Sequence, residues 1–121
     1  MSRILIADAD AALRTAFSLI LQKKLDVSEI NEVADLVHLQ SCLDEWQPDV
    51  ILLDCNLPGL PQAGGLAACR SSLPAPVIAL SIRAEDGPPA LAAGADGFIH
   101  KSFAPEQVLA VIKQRLMKGA E

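Results

Sequence analysis

The chain has 121 residues, the length of one compact domain, and 51 % of them are apolar, enough for a single buried core. Charged residues make up 21 % and the net charge is −5, which argues against a disordered chain and against the basic footprint of a general nucleic-acid binder. No basic segment followed by a long apolar stretch opens the sequence, and no apolar run reaches the roughly 18 residues of a membrane span, so neither a secretory leader nor a membrane anchor is expected. The three cysteines, Cys42, Cys55 and Cys69, are odd in number and irregularly spaced. They suit neither a disulfide framework nor a zinc site, and are expected as small buried apolar residues in a reducing cytoplasm.

Along the chain, apolar runs alternate with helical patterns. Arg3–Ala7 (RILIA) is a continuous branched run, as expected of a strand buried on both faces. Ala12–Lys24 follows with Leu13, Phe17, Ile20 and Leu21 at near-helical spacing. Val27–Ala34 is a weaker strand pattern. Leu36–Trp46 reads as a helix through Leu36, Leu39, Leu43 and Trp46, with Asp35 as its N-cap and Pro48 beyond its end. Asp49–Leu53 (DVILL) is a second continuous, branched strand run, and Gly65–Ser72 a short helix ahead of Pro74. Pro76–Leu80 (PVIAL) is the third such strand, and Ala95–Ile99 the last strand. Pro105–Lys118 closes the pattern as a helix with Pro105 in its first turn and lysines toward its end. Five strand and helix pairs in alternation predict one α/β domain over residues 1–121, a parallel sheet covered on both faces. The Pro/Gly-dense stretches Pro58–Gly65 and Gly87–Pro89 fall where strand-to-helix loops belong.

Ligands of open parallel sheets bind beyond the carboxyl ends of the strands. At those ends stand Asp8 and Asp10, Asp54, Ser81 and Lys101. Loops are wet, so any one polar residue there is unremarkable, but the set carries chemistry. Grouped carboxylates invite a divalent cation such as Mg²⁺, which takes one or two carboxylates, waters and phosphate oxygens. A carboxylate is also a nucleophile that forms an aspartyl phosphate, while a hydroxyl and an ammonium stabilise the phosphoryl oxygens. His38 and His100 are isolated, expected on a helix surface and at a strand end. The segment after the first strand, ADADAALR, offers carboxylates instead of the Gly, Ser or Thr cradle that a flavodoxin-like cofactor binder needs.

These runs resemble the receiver domain of two-component response regulators over essentially the whole chain. PDVILLDCNLPG is similar to that family's third strand and phosphoacceptor loop, PVIALS to its fourth strand, and AAGADGFIHK to its fifth. RILIADADAALR is similar to the opening of receivers joined to LuxR-type helix-turn-helix output domains. The resemblance implies a flavodoxin-like (βα)5 fold with strand order 2-1-3-4-5. It implies Asp54 as phosphoacceptor and Mg²⁺ held by Asp8, Asp54 and the backbone carbonyl of Asn56. It further implies Ser81 as switch hydroxyl, Lys101 as phosphate contact and Phe98 as switch aromatic. The implied function is phosphorelay signalling. A sensor histidine kinase phosphorylates Asp54, and the surface of the fourth helix, fifth strand and fifth helix switches, with homodimerisation through it. Such a domain is a phosphoacceptor that can catalyse its own phosphorylation and dephosphorylation, not an enzyme with a separate substrate. Contact with DNA would belong to an output domain outside this chain.

Three features depart from the family pattern. Ala9 stands where the family has a second acid that usually binds Mg²⁺, and Asp10 follows one residue late. The loop NLPGLPQAGGL is longer than usual. The segment SIRAEDGPPALAAG is shorter, and Pro88-Pro89 predicts a short or irregular fourth helix, since proline is excluded from helix interiors. The rival reading is a degenerate receiver that works by protein contact without phosphorylation.

Overall fold

The computed structural model describes residues 2–119. Strand and helix alternate as β1 (Ser2–Ala7), α1 (Ala11–Lys24), β2 (Val27–Val33), α2 (Leu36–Glu45), β3 (Val50–Asp54), α3 (Gly65–Cys69), β4 (Val77–Ser81), α4 (Gly87–Ala92), β5 (Gly97–His100) and α5 (Pro105–Gly119). All four strand pairings are parallel and the sheet order is β2-β1-β3-β4-β5, the flavodoxin-like order that the resemblance implied.

Every residue of β3 and β4 is buried, which is why their sequences carry no polar alternation. Successive side chains leave a strand on opposite faces, so the apolar runs divide into two cores. Ile4, Ile6, Val50, Leu52, Ile78, Leu80 and Ile99 meet Phe17 and Leu21 of α1 and Val108 and Ile112 of α5. On the other face Leu5, Ala7, Ile51, Leu53 and Val77 meet Leu36 and Leu39 of α2 and the loop residues Leu57, Leu60 and Leu73. A smaller cluster, Ala79, Ala90 and Ala95, lies under α4, with Phe98 packed against it.

The helix starts follow local chemistry. Asp35 caps α2 by accepting from His38 N at 2.8 Å. Asp10 caps α1 by accepting from Ala12 N at 3.0 Å and Leu13 N at 3.3 Å. The long loop after β3 contains a 3-10 turn at Pro61–Ala63. It is pinned where Leu36 N donates to Pro58 O at 2.8 Å. Gly59 adopts φ +93°, and a Cβ there would lie 3.0 Å from the Leu36 Cβ, so glycine answers both the turn and the close approach.

Several boundaries differ from expectation. The third helix is α-helical only to Cys69 and tightens into a 3-10 turn at Arg70–Ser72. The last strand begins at Gly97 instead of Ala95, because Asp96 is used as a tie. Its carboxylate accepts from Val77 N at 2.9 Å and Arg70 Nη2 at 3.1 Å. The fourth helix is six residues long and follows a 3-10 turn at Ala84–Asp86. Pro88 and Pro89 lie in its first turn, where missing N–H groups cost nothing. The cysteines are a correction: all three are free but only half-buried, because they sit on the margins of the packed faces instead of beneath them. The Lys118 side chain lies outside the described residues. Among the described residues no helix is long and apolar enough to cross a membrane.

Candidate functional site

Because β1 lies between β2 and β3, the connections leaving it diverge and open a crevice at the carboxyl edge of the sheet. Asp8 follows β1, Asp54 ends β3, Ser81 ends β4 and Lys101 follows β5. The parallel ladder sets their level: Lys101 N donates to Ser81 O at 2.8 Å and Cys55 N to Leu80 O at 2.9 Å.

Asp8 is 1 % exposed. Its backbone is held by Val33 O, which accepts from Asp8 N at 3.0 Å, and by Arg14 Nη1, which donates to Asp8 O at 2.6 Å. Asp8 Oδ1 accepts from Asp10 N at 2.9 Å. Asp8 Oδ2 lies 2.7 Å from Lys101 Nζ, and this ion pair is its one close polar contact among the described residues. The same ammonium lies 3.2 Å from Asp54 Oδ2. Asp54 Oδ1 accepts from Asn56 N at 3.0 Å, which turns the loop back over the carboxylate. Lys101 thus bridges two carboxylates at the floor of the crevice. Burial pulls its ammonium down, but the Asp8 and Asp54 charges outweigh this and hold it above its ordinary value.

The predicted residues do not all converge. Asp8, Asp54 and Lys101 meet, and Asn56 touches Asp54 through its amide. Asp10 is spent on its helix: the carboxylate caps α1 instead of standing in for the acid missing at Ala9. Ser81 is 1 % exposed, and its hydroxyl donates to Asp86 Oδ2 at 2.6 Å while accepting from Arg83 N at 3.0 Å. Phe98 is half-buried over Gly87, where a Cβ would lie 3.2 Å from the ring. His38 is exposed on α2 with Nδ1 2.7 Å from Asp35 Oδ1, and His100 pairs with Ser102 Oγ at 2.7 Å. Two contributors escaped sequence reasoning. Arg14 clamps the Asp8 carbonyl; its only signal was its place in ADADAALR. Asp86 accepts a hydrogen bond from the Ser81 hydroxyl, and its signal was the string DGPP.

Among the described residues no group of three or more His, Cys, Asp or Glu could by itself hold a metal. Two carboxylates and the Asn56 carbonyl nevertheless suit Mg²⁺, which needs few protein ligands, and a cation there would share the buried Asp8 carboxylate with the Lys101 ammonium. Cys55 adjoins Asp54, but burial, with Asp86 and Asp54 nearby, pushes its thiol up, so it is not poised as a thiolate nucleophile.

A doubly wound parallel sheet with two buried carboxylates and a lysine at its switch point defines the class: a flavodoxin-like domain with an acidic crevice. The family model of the response regulator receiver domain matches residues 4–113, and the chain belongs to that family, the receivers of two-component systems. The chain is 30 % identical over 123 residues to the DNA-binding response regulator MtrA of Mycobacterium tuberculosis H37Rv, covering 97 % of this chain and 51 % of MtrA. It is 34 % identical over 117 residues to the oxygen regulatory protein NreC of Staphylococcus aureus JH9, covering 92 % of this chain and 53 % of NreC. The chain therefore spans about half the length of these curated relatives. Among solved structures, the receiver domain of sensor histidine kinase PA1611 from Pseudomonas aeruginosa PAO1, with a magnesium ion in its active-site cleft, superposes with TM-score 0.79. That match has 23 % identity and covers 96 % of this chain and 98 % of the other, a likeness of fold.

Proposed function

We propose that Asp54 accepts a phosphoryl group from a phosphohistidine of a sensor kinase, and that Asp8, Asp54 and the Asn56 carbonyl hold Mg²⁺ for the transfer. The observation that carries this reading is the Lys101 ammonium, 2.7 Å from Asp8 and 3.2 Å from Asp54 at the carboxyl ends of β1, β3 and β5. A purely structural lysine would not need two carboxylates at a wet sheet edge.

In the transfer an Asp54 oxygen attacks phosphorus and forms the acyl phosphate P–O bond. The P–N bond breaks, its electron pair stays on the imidazole nitrogen, and that nitrogen takes a proton from solvent. Asp54 is 8 % exposed, so its carboxylate is poorly hydrated and loses little solvation on reacting. Lys101 follows the developing phosphoryl charge, and Ser81 supplies a hydroxyl donor once it turns toward it. Bound Mg²⁺ would neutralise phosphate charge beside Asp8. The phosphoryl group brings a charge of about −1.5 to −2 and thereby biases the surface formed by α4, β5 and α5. Phe98, packed against Gly87 at the start of α4, follows Ser81 in that change. Output is a homodimer through this surface or contact with an effector domain, and DNA binding, where it occurs, belongs to that domain. A cytoplasmic location goes with this reading.

The test is intact mass after incubation with Mg²⁺ and a small phosphodonor, on the wild type, Asp54→Ala and Ala9→Asp. A phosphate adduct that vanishes in Asp54→Ala is expected. Absence of any Asp54-dependent adduct, in Ala9→Asp as well, would refute the reading and leave a receiver acting through protein contact alone.

A further inference from the structure

Ser81 has one proton to donate, and the structure spends it. Its Oγ donates to Asp86 Oδ2 at 2.6 Å, while its acceptor side takes Arg83 N at 3.0 Å. A hydroxyl so engaged cannot also donate to a phosphoryl oxygen on Asp54 without releasing Asp86. The reason the carboxylate is available lies in the next three residues. Asp86 directly precedes α4, where an aspartate ordinarily accepts from the N–H of the second or third helical residue. Here those residues are Pro88 and Pro89, which have no N–H, and Asp86 makes no side-chain cap. Arg83 Nε, at 3.9 Å from Oδ1, is engaged more closely by Glu85 at 3.1 Å. The strongest donor left to Asp86 is Ser81.

We infer that Asp86 is a positioning residue that latches Ser81 in its resting rotamer, so that a phosphoryl group on Asp54 must win the Ser81 hydroxyl from it. The inference rests on the reading of Asp54 as acceptor. Its second consequence is mechanical. Gly87, the residue after Asp86, lies under the Phe98 ring. Asp86 also borders a cavity of about 260 Å³ between α3 and α4, lined further by Cys55, Leu66, Ala90 and Ala93. Releasing Asp86 frees the start of α4 at the point where Phe98 bears on it, with open space beside it to move into. The lost bond is recovered in part, because the Asp86 side chain is 27 % exposed and can be hydrated. Breaking the latch therefore biases the domain toward the switched state by a modest factor.

The test is a double-mutant cycle. Asp86→Ala, Ser81→Ala and the double variant are treated with Mg²⁺ and acetyl phosphate, and the rate of adduct formation is read by intact mass. Asp86→Ala is expected to phosphorylate about three- to tenfold faster than wild type, as release of a charge-assisted hydrogen bond allows, with Asp86→Asn in between. In the Ser81→Ala background the Asp86 substitution is expected to have no effect, which a general structural role of Asp86 would not produce. In parallel, NMR couplings report the Ser81 side-chain rotamer without any phosphate: one rotamer in wild type, averaging in Asp86→Ala. An unchanged rate, or an effect that persists in Ser81→Ala, overturns the latch. If no variant forms an adduct on Asp54, the acceptor reading fails, and the rotamer measurement decides the latch alone: averaging upholds it and a single rotamer in Asp86→Ala overturns it.

Discussion

Replacing Lys101 with methionine would keep most of the side-chain volume and remove the cation that bridges Asp8 and Asp54. At an effective dielectric constant of about 20, unit charges at these separations of 2.7 and 3.2 Å attract by about 6 and 5 kcal/mol before desolvation is counted. Desolvation returns most of that, and removing one partner of a buried ion pair typically costs about 3–5 kcal/mol, because an uncompensated charge stays behind. The Asp8 and Asp54 side chains are 1 % and 11 % exposed and Lys101 14 %, so water reaches the pair only from the crevice. A net loss of about 2–4 kcal/mol is expected, toward the lower end if water enters beside Asp54. For a domain of this size, with a urea m-value of about 1.5 kcal/mol/M, the midpoint should fall by about 1.3–2.7 M. The assay is urea unfolding at neutral pH, followed by far-UV circular dichroism, without divalent cations. A second series with Mg²⁺ should restore more stability to Lys101→Met than it adds to wild type, since the cation replaces the missing charge. A midpoint shift below about 0.3 M at unchanged m-value would refute the view that Lys101 holds the two carboxylates together.

The same lysine sets an alkaline limit. Its folded pKa is raised above the ordinary 10.5, so its contribution is complete below that pH and is lost as pH rises through the folded value. As pH rises above 10.5 wild type should lose stability that Lys101→Met, lacking the group, does not lose; parallel curves would contradict this. Asp10→Ala should cost about 1 kcal/mol through the α1 cap and change Mg²⁺ affinity in calorimetry by less than about twofold; a tenfold loss would make Asp10 a metal ligand after all. On α2, Leu39 is fully buried and Val37 is 69 % exposed, so Leu39→Ala should cost about 3 kcal/mol and Val37→Ala under about 0.5 kcal/mol in urea unfolding.

What could be read from the chain alone was the part governed by local pattern. Strands buried on both faces must be continuously apolar, so RILIA, DVILL and PVIAL marked the sheet, and their ends marked where the acidic crevice lies. Asp35 as a cap and the short fourth helix were legible for the same reason: capping and proline sterics act within a few residues. What the sequence left open was the choice of partner among equivalent candidates. Asp10 could turn to a metal or to its own helix, and only the start of α1 at Ala11 decided for the cap. Asp96 looked like strand, and the packing of Arg70 and Val77 beside it made it a tie. The loop after β3 could be located, but the bridging of Asp8 and Asp54 by Lys101 depends on three strands far apart in sequence arriving at one level. Ser81 and Asp86 are only five residues apart, yet their bond was not foreseeable, because it exists by default once Pro88 and Pro89 withdraw the donors Asp86 would otherwise take. Hydrophobic pattern is written residue by residue and survives translation into sequence. Side-chain hydrogen bonding is a competition among neighbours, and only the folded chain assembles the competitors.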